Sequence, residues 1–279
     1  MAEPMPRARL AVLGSPIGHS QSPALHRAAY ARLGLDWEYT AVEMDGRHLG
    51  GFIDGLDASW RGLSLTMPLK QDVLPMLDDI DELAGFTGAA NTVLFDGASR
   101  RGFNTDIGGI VRTLAESDVH RVGRGAIVGA GATALSALVA MSQLGAHDVR
   151  VLVRRPGASQ PIAELGRRLE LVVDEAPLEA LADIDDADLV ISTLPGTADL
   201  DVVPNRDLVS AAPLLDVAYD PWPTALGASW LEGGGRVVHG LGMLLHQALL
   251  QVRIFVNGDP SIPLDDDDGV LAVMRDALR

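Results

Sequence analysis

The apolar residues of this chain fall into short runs separated by polar and glycine-rich turns. Leu10-Ala11-Val12-Leu13-Gly14 is a continuous apolar run closed by a glycine, the pattern of a buried strand. The polar stretch Ser15 to Ser22 reads as a loop, and Pro23 opens a helix to about Leu33, with Ser22 as its N-cap. Trp37 to Glu43 alternates about Trp37, Tyr39 and Ala41 and predicts a second strand. His48 to Leu56 carries a weaker helical pattern, and Trp60 to Thr66 predicts a third strand. Pro68 starts the next helix, which puts Lys70 in a first helical turn just past a strand end. Open α/β sheets hold their ligands at such ends.

Farther on, Ala89 to Phe95 and Arg100 to Phe103 flank Asp96-Gly97 and predict a hairpin. Asn104-Thr105-Asp106 leads into a helix near Ile107 to Ala115, where Asp106 can serve as the cap. Beyond Gly123 the texture changes to strand (Ala126 to Val128), helix (Ala132 to Leu144, closed by Gly145) and strand (Val149 to Val153). Further strands are expected at Leu169 to Val173, Asp188 to Thr193 and Pro213 to Val217, with helical patterns between them. Strands alternating with helices give an α/β fold with a parallel sheet. Gly240 begins a long apolar helix, Leu241 to Val256, and a last helix runs from Gly269 to Leu278.

At 279 residues the chain can form two modest domains or one large one. Its net charge of −16 disfavours nucleic acid and anionic membrane as partners, although a small anionic substrate feels only local charge. The absence of cysteine excludes disulfides, thiolate metal sites and cysteine nucleophiles. Met1 to Arg9 lacks the apolar core of a secretion signal, which points to the cytoplasm. The uncharged run Ala126 to Ala146 is long enough to raise a membrane-helix question. Its opening glycines and its Thr133, Ser136, Ser142 and Gln143 fit a strand, a turn and a buried helix better. Short acidic clusters such as Asp265 to Asp268 read as solvated loop or helix-start residues.

Within this frame, Lys70 is the only lysine among 22 Lys+Arg. Arginine stays protonated at any workable pH, whereas an amine can pass a proton back and forth. Asp106, if it lies beside Lys70, would share that proton and orient a substrate hydroxyl. Gly129-Ala130-Gly131-Ala132-Thr133-Ala134 fits G-x-G-x-x-A directly between a strand and a helix, the setting in which a dinucleotide pyrophosphate meets a helix N-terminus. The next strand ends Val153-Arg154-Arg155 rather than in a carboxylate. Guanidinium pairs with a 2′-phosphate, which favours NADP over NAD. Ser20 and Ser22 offer two hydroxyls on one loop, suited to a carboxylate. Asn91-Thr92 lies in a hydrophobic strand and needs partners, and Gln247 sits midway along an apolar helix, where a backbone partner and a ligand are equally open. No H-E-x-x-H zinc spacing and no G-x-S-x-G elbow occurs, so neither metal nor serine-hydrolase chemistry is expected.

Several of these strings together resemble the shikimate dehydrogenase family from end to end. They are Gly14 to Pro23, Thr66-Met67-Pro68-Leu69-Lys70, Gly88 to Thr92, Asn104-Thr105-Asp106, Gly129-Ala130-Gly131, Asp216 to Tyr219 and Gly240 through Gln247. The resemblance implies a substrate domain built from residues 1–106 and 240–279, with a Rossmann-like NADP domain, residues 107–239, inserted between and the active site in the cleft. It implies Lys70 and Asp106 as the acid/base pair. Ser20 and Ser22, helped by Tyr219, would hold the substrate carboxylate, and Thr66, Asn91 and Gln247, with the acid/base pair, the ring hydroxyls. Gly129 and Gly131 would line the pyrophosphate and Gly240 the nicotinamide side, with Ala130, Ala132, Arg154, Arg155 and Thr193 completing the cofactor set.

The implied reaction is NADP-dependent reduction of 3-dehydroshikimate to shikimate, on the way to the aromatic amino acids. A small molecule is the expected partner, with monomer and homodimer both open. Ser64 stands where the family more often has Asn, Val153-Arg154-Arg155 where it commonly has Asn-Arg-Thr or Asn-Arg-Ser, and Ala132 where glycine is frequent. Three alternatives stand beside this reading: a quinate/shikimate dehydrogenase with broader substrate use, a non-catalytic NADPH-binding regulatory module, and a dehydrogenase for a related amino-substituted ring.

Overall fold

A computed structural model of the protein describes residues 7–278. The expectation that the N-terminus carries no secretion signal falls mostly on residues 1–6, outside the described residues. In chain order the elements begin β1 (Arg9–Gly14), α1 (Ser22–Leu33), β2 (Glu38–Glu43), α2 (Gly46–Asp54), β3 (Trp60–Leu65) and α3 (Leu69–Asp72). They continue β4 (Asp79–Ile80), α4 (Glu82–Thr87), β5 (Thr92–Asp96), β6 (Ser99–Phe103) and α5 (Asp106–Glu116). Then come β7 (Arg124–Val128), α6 (Ala132–Gln143), β8 (Asp148–Val153), α7 (Gln160–Arg168), β9 (Val172–Pro177) and β10 (Leu189–Ser192). Last are α8 (Arg206–Ala211), β11 (Leu214–Asp216), α9 (Ala225–Glu232), β12 (Val237–His239), α10 (Gly240–Asn257) and α11 (Asp267–Asp276).

The chain divides into two compact units, each with its own sheet. One comprises the described residues up to Gly109 and from Leu244 on, and the other comprises Ile110–Met243. Both chain crossings lie inside helices, α5 and α10.

The first unit has a mixed sheet of order β2-β1-β3-β5-β6-β4. β1 is parallel to β2 and β3, and β5 runs antiparallel to both β3 and β6. The side-chain period of two decides which core each residue of β1 joins. Leu10 and Val12 pack with α1, α10 and α11 on one face, while Ala11 and Leu13 pack with Leu49, Leu63 and Leu69 on the other. Gly62 on β3 is required by packing, since a Cβ there would lie 2.6 Å from the Val93 carbonyl and against the Phe255 ring.

The second unit has six parallel strands in the order β12-β11-β10-β7-β8-β9. The strand order reverses between β7 and β10, and such a switch point leaves a ligand crevice at the strand C-termini. Ala126, Val128, Leu152, Val190 and Leu214 form the core on one face with Trp230.

Several expectations need correction. Ser22 is the first residue of α1 rather than its cap; Gln21 occupies the cap position, and its side chain makes no capping hydrogen bond. Asp106 likewise does not cap α5: it is the first helical residue, and Asn104 Oδ1 accepts from its backbone N–H. The strand expected at 169–173 lies at β9, because Glu170 takes φ 59° and the turn after α7 uses up the first apolar residues. β4, α4 and β12 were not expected; two are very short strands and α4 is a helix of six residues. The run Ala126 to Ala146 is β7, a glycine turn and α6, and among the described residues no helix is long and apolar enough to cross a membrane.

Candidate active site

In the first unit, Thr66 and Lys70 follow β3. A Cβ on Gly14 would lie 3.0 Å from the Met67 carbonyl and against the Thr66 methyl, so glycine lets the end of β1 approach the Thr66 segment. Pro68 then occupies the position before the short helix α3, which carries the half-buried Lys70. Lys70 Nζ donates to Asp106 Oδ2 at 2.6 Å, across 36 residues of sequence. The hairpin of β5 and β6 makes this possible, returning the chain so that Asp106 starts α5 beside Lys70. Their side chains are 13% and 5% exposed, which strengthens the attraction relative to a surface pair.

A buried polar cluster extends from this pair. Asn91 Nδ2 donates to the second carboxylate oxygen, Asp106 Oδ1, at 2.8 Å and to Thr105 Oγ1 at 2.9 Å. Gln247 Oε1 lies 3.4 Å from both Asn91 Nδ2 and Thr105 Oγ1, while its Nε2 donates to the Leu244 carbonyl at 2.9 Å. The structure therefore brings Lys70, Asn91, Asp106 and Gln247 together. Thr105 joins them; the sequence reading gave it no role, although it stands next to Asp106, which was singled out. Gln251 was also missed; its signal was its place one turn after Gln247 on α10.

Ser20 and Ser22 lie at the entry of α1, with the Ser22 N–H donating to Ser20 Oγ at 3.3 Å. The start of their loop is held by Glu43, which accepts from Ser15 Oγ at 2.5 Å and from the Ile17 N–H at 3.0 Å.

The other expected residues belong to the second unit. Gly129 follows β7 with φ 108°, and a Cβ there would sit 2.6 Å from Thr193 Oγ1. Thr193 in turn closes on β7, its hydroxyl and its N–H both donating to the Val128 carbonyl, at 3.0 and 2.8 Å. Gly131 is the N-cap of α6, and a Cβ added there would meet nothing within 4 Å. Gly129, Ala130, Gly131 and Ala132 thus form an open backbone turn at the positive end of a twelve-residue helix, at the switch point of the sheet. That is the cradle a dinucleotide pyrophosphate requires, and the residues fit the group.

Arg154 and Arg155 follow β8 and are exposed. Their loop is fixed by Glu175 on β9, which accepts from the N–H of Gly157 and from both the hydroxyl and the N–H of Ser159. These bonds hold the Glu175 carboxyl below its ordinary range, the Ser159 hydroxyl contributing most. Tyr219, half-buried, lies just beyond β11. Asp216 ends that strand, and desolvation pushes its carboxyl up despite bonds from Thr224 Oγ1 and the Ala218 N–H. Gly240 opens α10, where a Cβ would stand 2.7 Å from the Asp216 carbonyl.

The shikimate dehydrogenase substrate binding domain model matches residues 12–93. The shikimate dehydrogenase (NADP(+)) of Methanothermobacter thermautotrophicus is 33% identical over 96% of this chain and 94% of its own. Among solved structures, Mycobacterium tuberculosis shikimate dehydrogenase aligns with a TM-score of 0.85 at 34% identity, covering 96% of this chain and 99% of that one. Shikimate 5-dehydrogenase from Thermus thermophilus, in complex with NADP(H) and shikimate, aligns with a TM-score of 0.78 at 29% identity, covering 97% and 99%. With relatives this similar along nearly its whole length, the chain belongs to the shikimate dehydrogenase family.

Proposed function

We propose that this protein catalyses the reversible, NADP-dependent reduction of 3-dehydroshikimate to shikimate. The observation that carries the reading is the half-buried ion pair of the chain's single lysine with Asp106, bonded to Asn91 and next to Gln247. NADPH, when bound, supplies the hydride to the C3 carbonyl carbon. Lys70 gives its proton to the oxygen that becomes the C3 hydroxyl, and in the reverse direction the neutral amine removes that proton. Asp106 holds the amine by one oxygen, and Asn91 holds Asp106 by the other. The backbone pins the Gln247 amide, whose remaining N–H is suited to a ring hydroxyl, and Thr66 serves the same side of the substrate.

Ser20 and Ser22 offer the substrate carboxylate hydroxyl donors without a buried charge. For the cofactor, the Gly129–Ala132 turn takes the pyrophosphate, Arg154 and Arg155 take the 2′-phosphate, and Thr193 and Gly240 shape the strand ends beside it. The setting is the cytoplasm and the partner a small molecule; a homodimer is the assembly to be checked by light scattering. The deciding assay is NADP reduction by shikimate, run beside quinate and with NAD as alternative cofactor. Turnover with shikimate and NADP supports the reading, and its absence at saturating concentrations refutes it.

A further inference from the structure

Behind Asn91 the polar cluster continues inward through residues that touch neither Lys70 nor Asp106. Gln251 Nε2 donates to the Asn91 backbone carbonyl at 3.1 Å and to Thr92 Oγ1 at 3.0 Å. Thr92 Oγ1 donates to Asn91 Oδ1 at 2.8 Å. On the far side, Gln251 Oε1 accepts from Ser64 Oγ at 2.8 Å and lies 3.2 Å from His26 Nε2, while Tyr39 donates to Ser64 Oγ at 2.7 Å. Asn91, Thr92, Gln251, Ser64, His26 and Tyr39 are all buried.

Two backbone groups fix the direction of every bond that matters here. A carbonyl can only accept, so the Gln251 atom facing the Asn91 carbonyl is its NH2. An N–H can only donate, so the Asn91 atom facing the Thr105 N–H, at 3.0 Å, is its oxygen. Gln251 spends its second hydrogen on Thr92 Oγ1, so the Thr92 hydrogen turns to Asn91 Oδ1. The Asn91 NH2 is then directed at Asp106 Oδ1, where only a donor is useful. Reversing the Asn91 amide would set an oxygen against the carboxylate.

We propose that Thr92 and Gln251 are positioning residues for the Lys70–Asp106 pair. Gln251 fixes the rotor of the Thr92 hydroxyl, that hydroxyl locks the Asn91 amide, and the amide holds Asp106 for Lys70. The catalytic part of this inference rests on the activity proposed above. Ser64 belongs to the same chain of bonds, donating to Gln251 Oε1 and accepting from Tyr39.

The test compares Thr92→Val, which keeps the shape and removes the hydroxyl, with Thr92→Ser, which keeps the hydroxyl. With shikimate and NADP, Thr92→Val is expected to lower kcat roughly tenfold, the scale of one buried hydrogen bond, with KM for NADP unchanged. Thr92→Ser restores kcat to near the wild-type value. Gln251→Met lowers kcat in the same sense, and the double variant Thr92→Val/Gln251→Met is no slower than the slower single variant, because both act through one chain.

The assignment is overturned by a folded Thr92→Val with wild-type kcat, by Thr92→Ser as slow as Thr92→Val, or by losses that multiply in the double variant. If Thr92→Val does not fold, wild-type kcat in Gln251→Met overturns it. Nitrogen-15 NMR of the Asn91 side-chain amide is independent of the substrate. One sharp pair in the wild type and Thr92→Ser that broadens in Gln251→Met supports the locking, and an unchanged pair overturns it. A wild type inert on shikimate refutes the activity above, while the NMR comparison still decides the positioning.

Discussion

The buried His26 makes the first unit sensitive to acid by a calculable amount. Its ring stacks on Tyr39 at 4.0 Å and 7°. Gln251 Oε1 is fixed as an acceptor, so Nε2 carries the hydrogen and Nδ1 accepts from Tyr30, 3.1 Å away. Desolvation outweighs the opposing hydrogen bond to Gln251 and brings the imidazole pKa from 6.5 down to about 3. The neighbouring titratable groups, Tyr30 and Tyr39, are themselves raised by burial and stay neutral. The unfolded chain therefore takes up a proton at this position near pH 6.5, and the folded chain does not until about pH 3. Between those values the unfolded state binds more protons, so acid favours unfolding.

The stabilisation is fully present above pH 6.5 and is lost as the pH falls toward 3. At about 1.36 kcal/mol per pKa unit the full effect is roughly 5 kcal/mol, of which about 2 kcal/mol falls between pH 7 and pH 5. Urea titrations of the wild type and His26→Gln at both pH values test this. Whatever the variant's stability at pH 7, its loss on acidification should be smaller than the wild type's by about 2 kcal/mol. Parallel losses in the two proteins would refute a neutral buried imidazole at this position.

Other outcomes follow from the same geometry. Replacing Arg154 and Arg155 together by serine should raise KM for NADPH roughly ten- to a hundred-fold, as expected for lost charge-assisted bonds, and leave KM for NADH nearly unchanged. Equal effects on both cofactors would remove these arginines from 2′-phosphate recognition. Gly62→Ala should destabilise the first unit by about 1–3 kcal/mol in a urea titration, because the Val93 backbone carbonyl cannot step aside for a Cβ. Lys70→Arg should keep the ion pair with Asp106 yet lose turnover, since guanidinium does not give up its proton; an active Lys70→Arg would show that charge alone suffices.

Much of this was legible in local sequence. The apolar runs of β1, β7 and β10 announce themselves because strands buried on both faces carry no polar alternation to confuse them. Gly129 to Ala134 is legible because strand, turn and helix must all be adjacent in sequence. Lys70 stood out through the rarity of its residue type. The pairing of Lys70 with Asp106 spans 36 residues and depends on the β5–β6 hairpin between them, and no local spacing expresses that. Gln251 was hidden for a different reason: a glutamine on a helix ordinarily reads as a solvent-facing residue, and only the tertiary position of α10 buries it. Ser22 misled because a serine before a helical proline is a strong cap signal, whereas here the helix already includes it.

The central claim is that one amine moves the proton while hydride reaches the adjacent carbon. Spectrophotometric turnover of shikimate with NADP, by the wild type and by Lys70→Ala side by side, tests it most directly. The account predicts steady NADPH formation by the wild type and a kcat roughly a hundred- to ten-thousand-fold lower in a folded Lys70→Ala that still binds NADPH. A Lys70→Ala protein turning over at near the wild-type rate would contradict it.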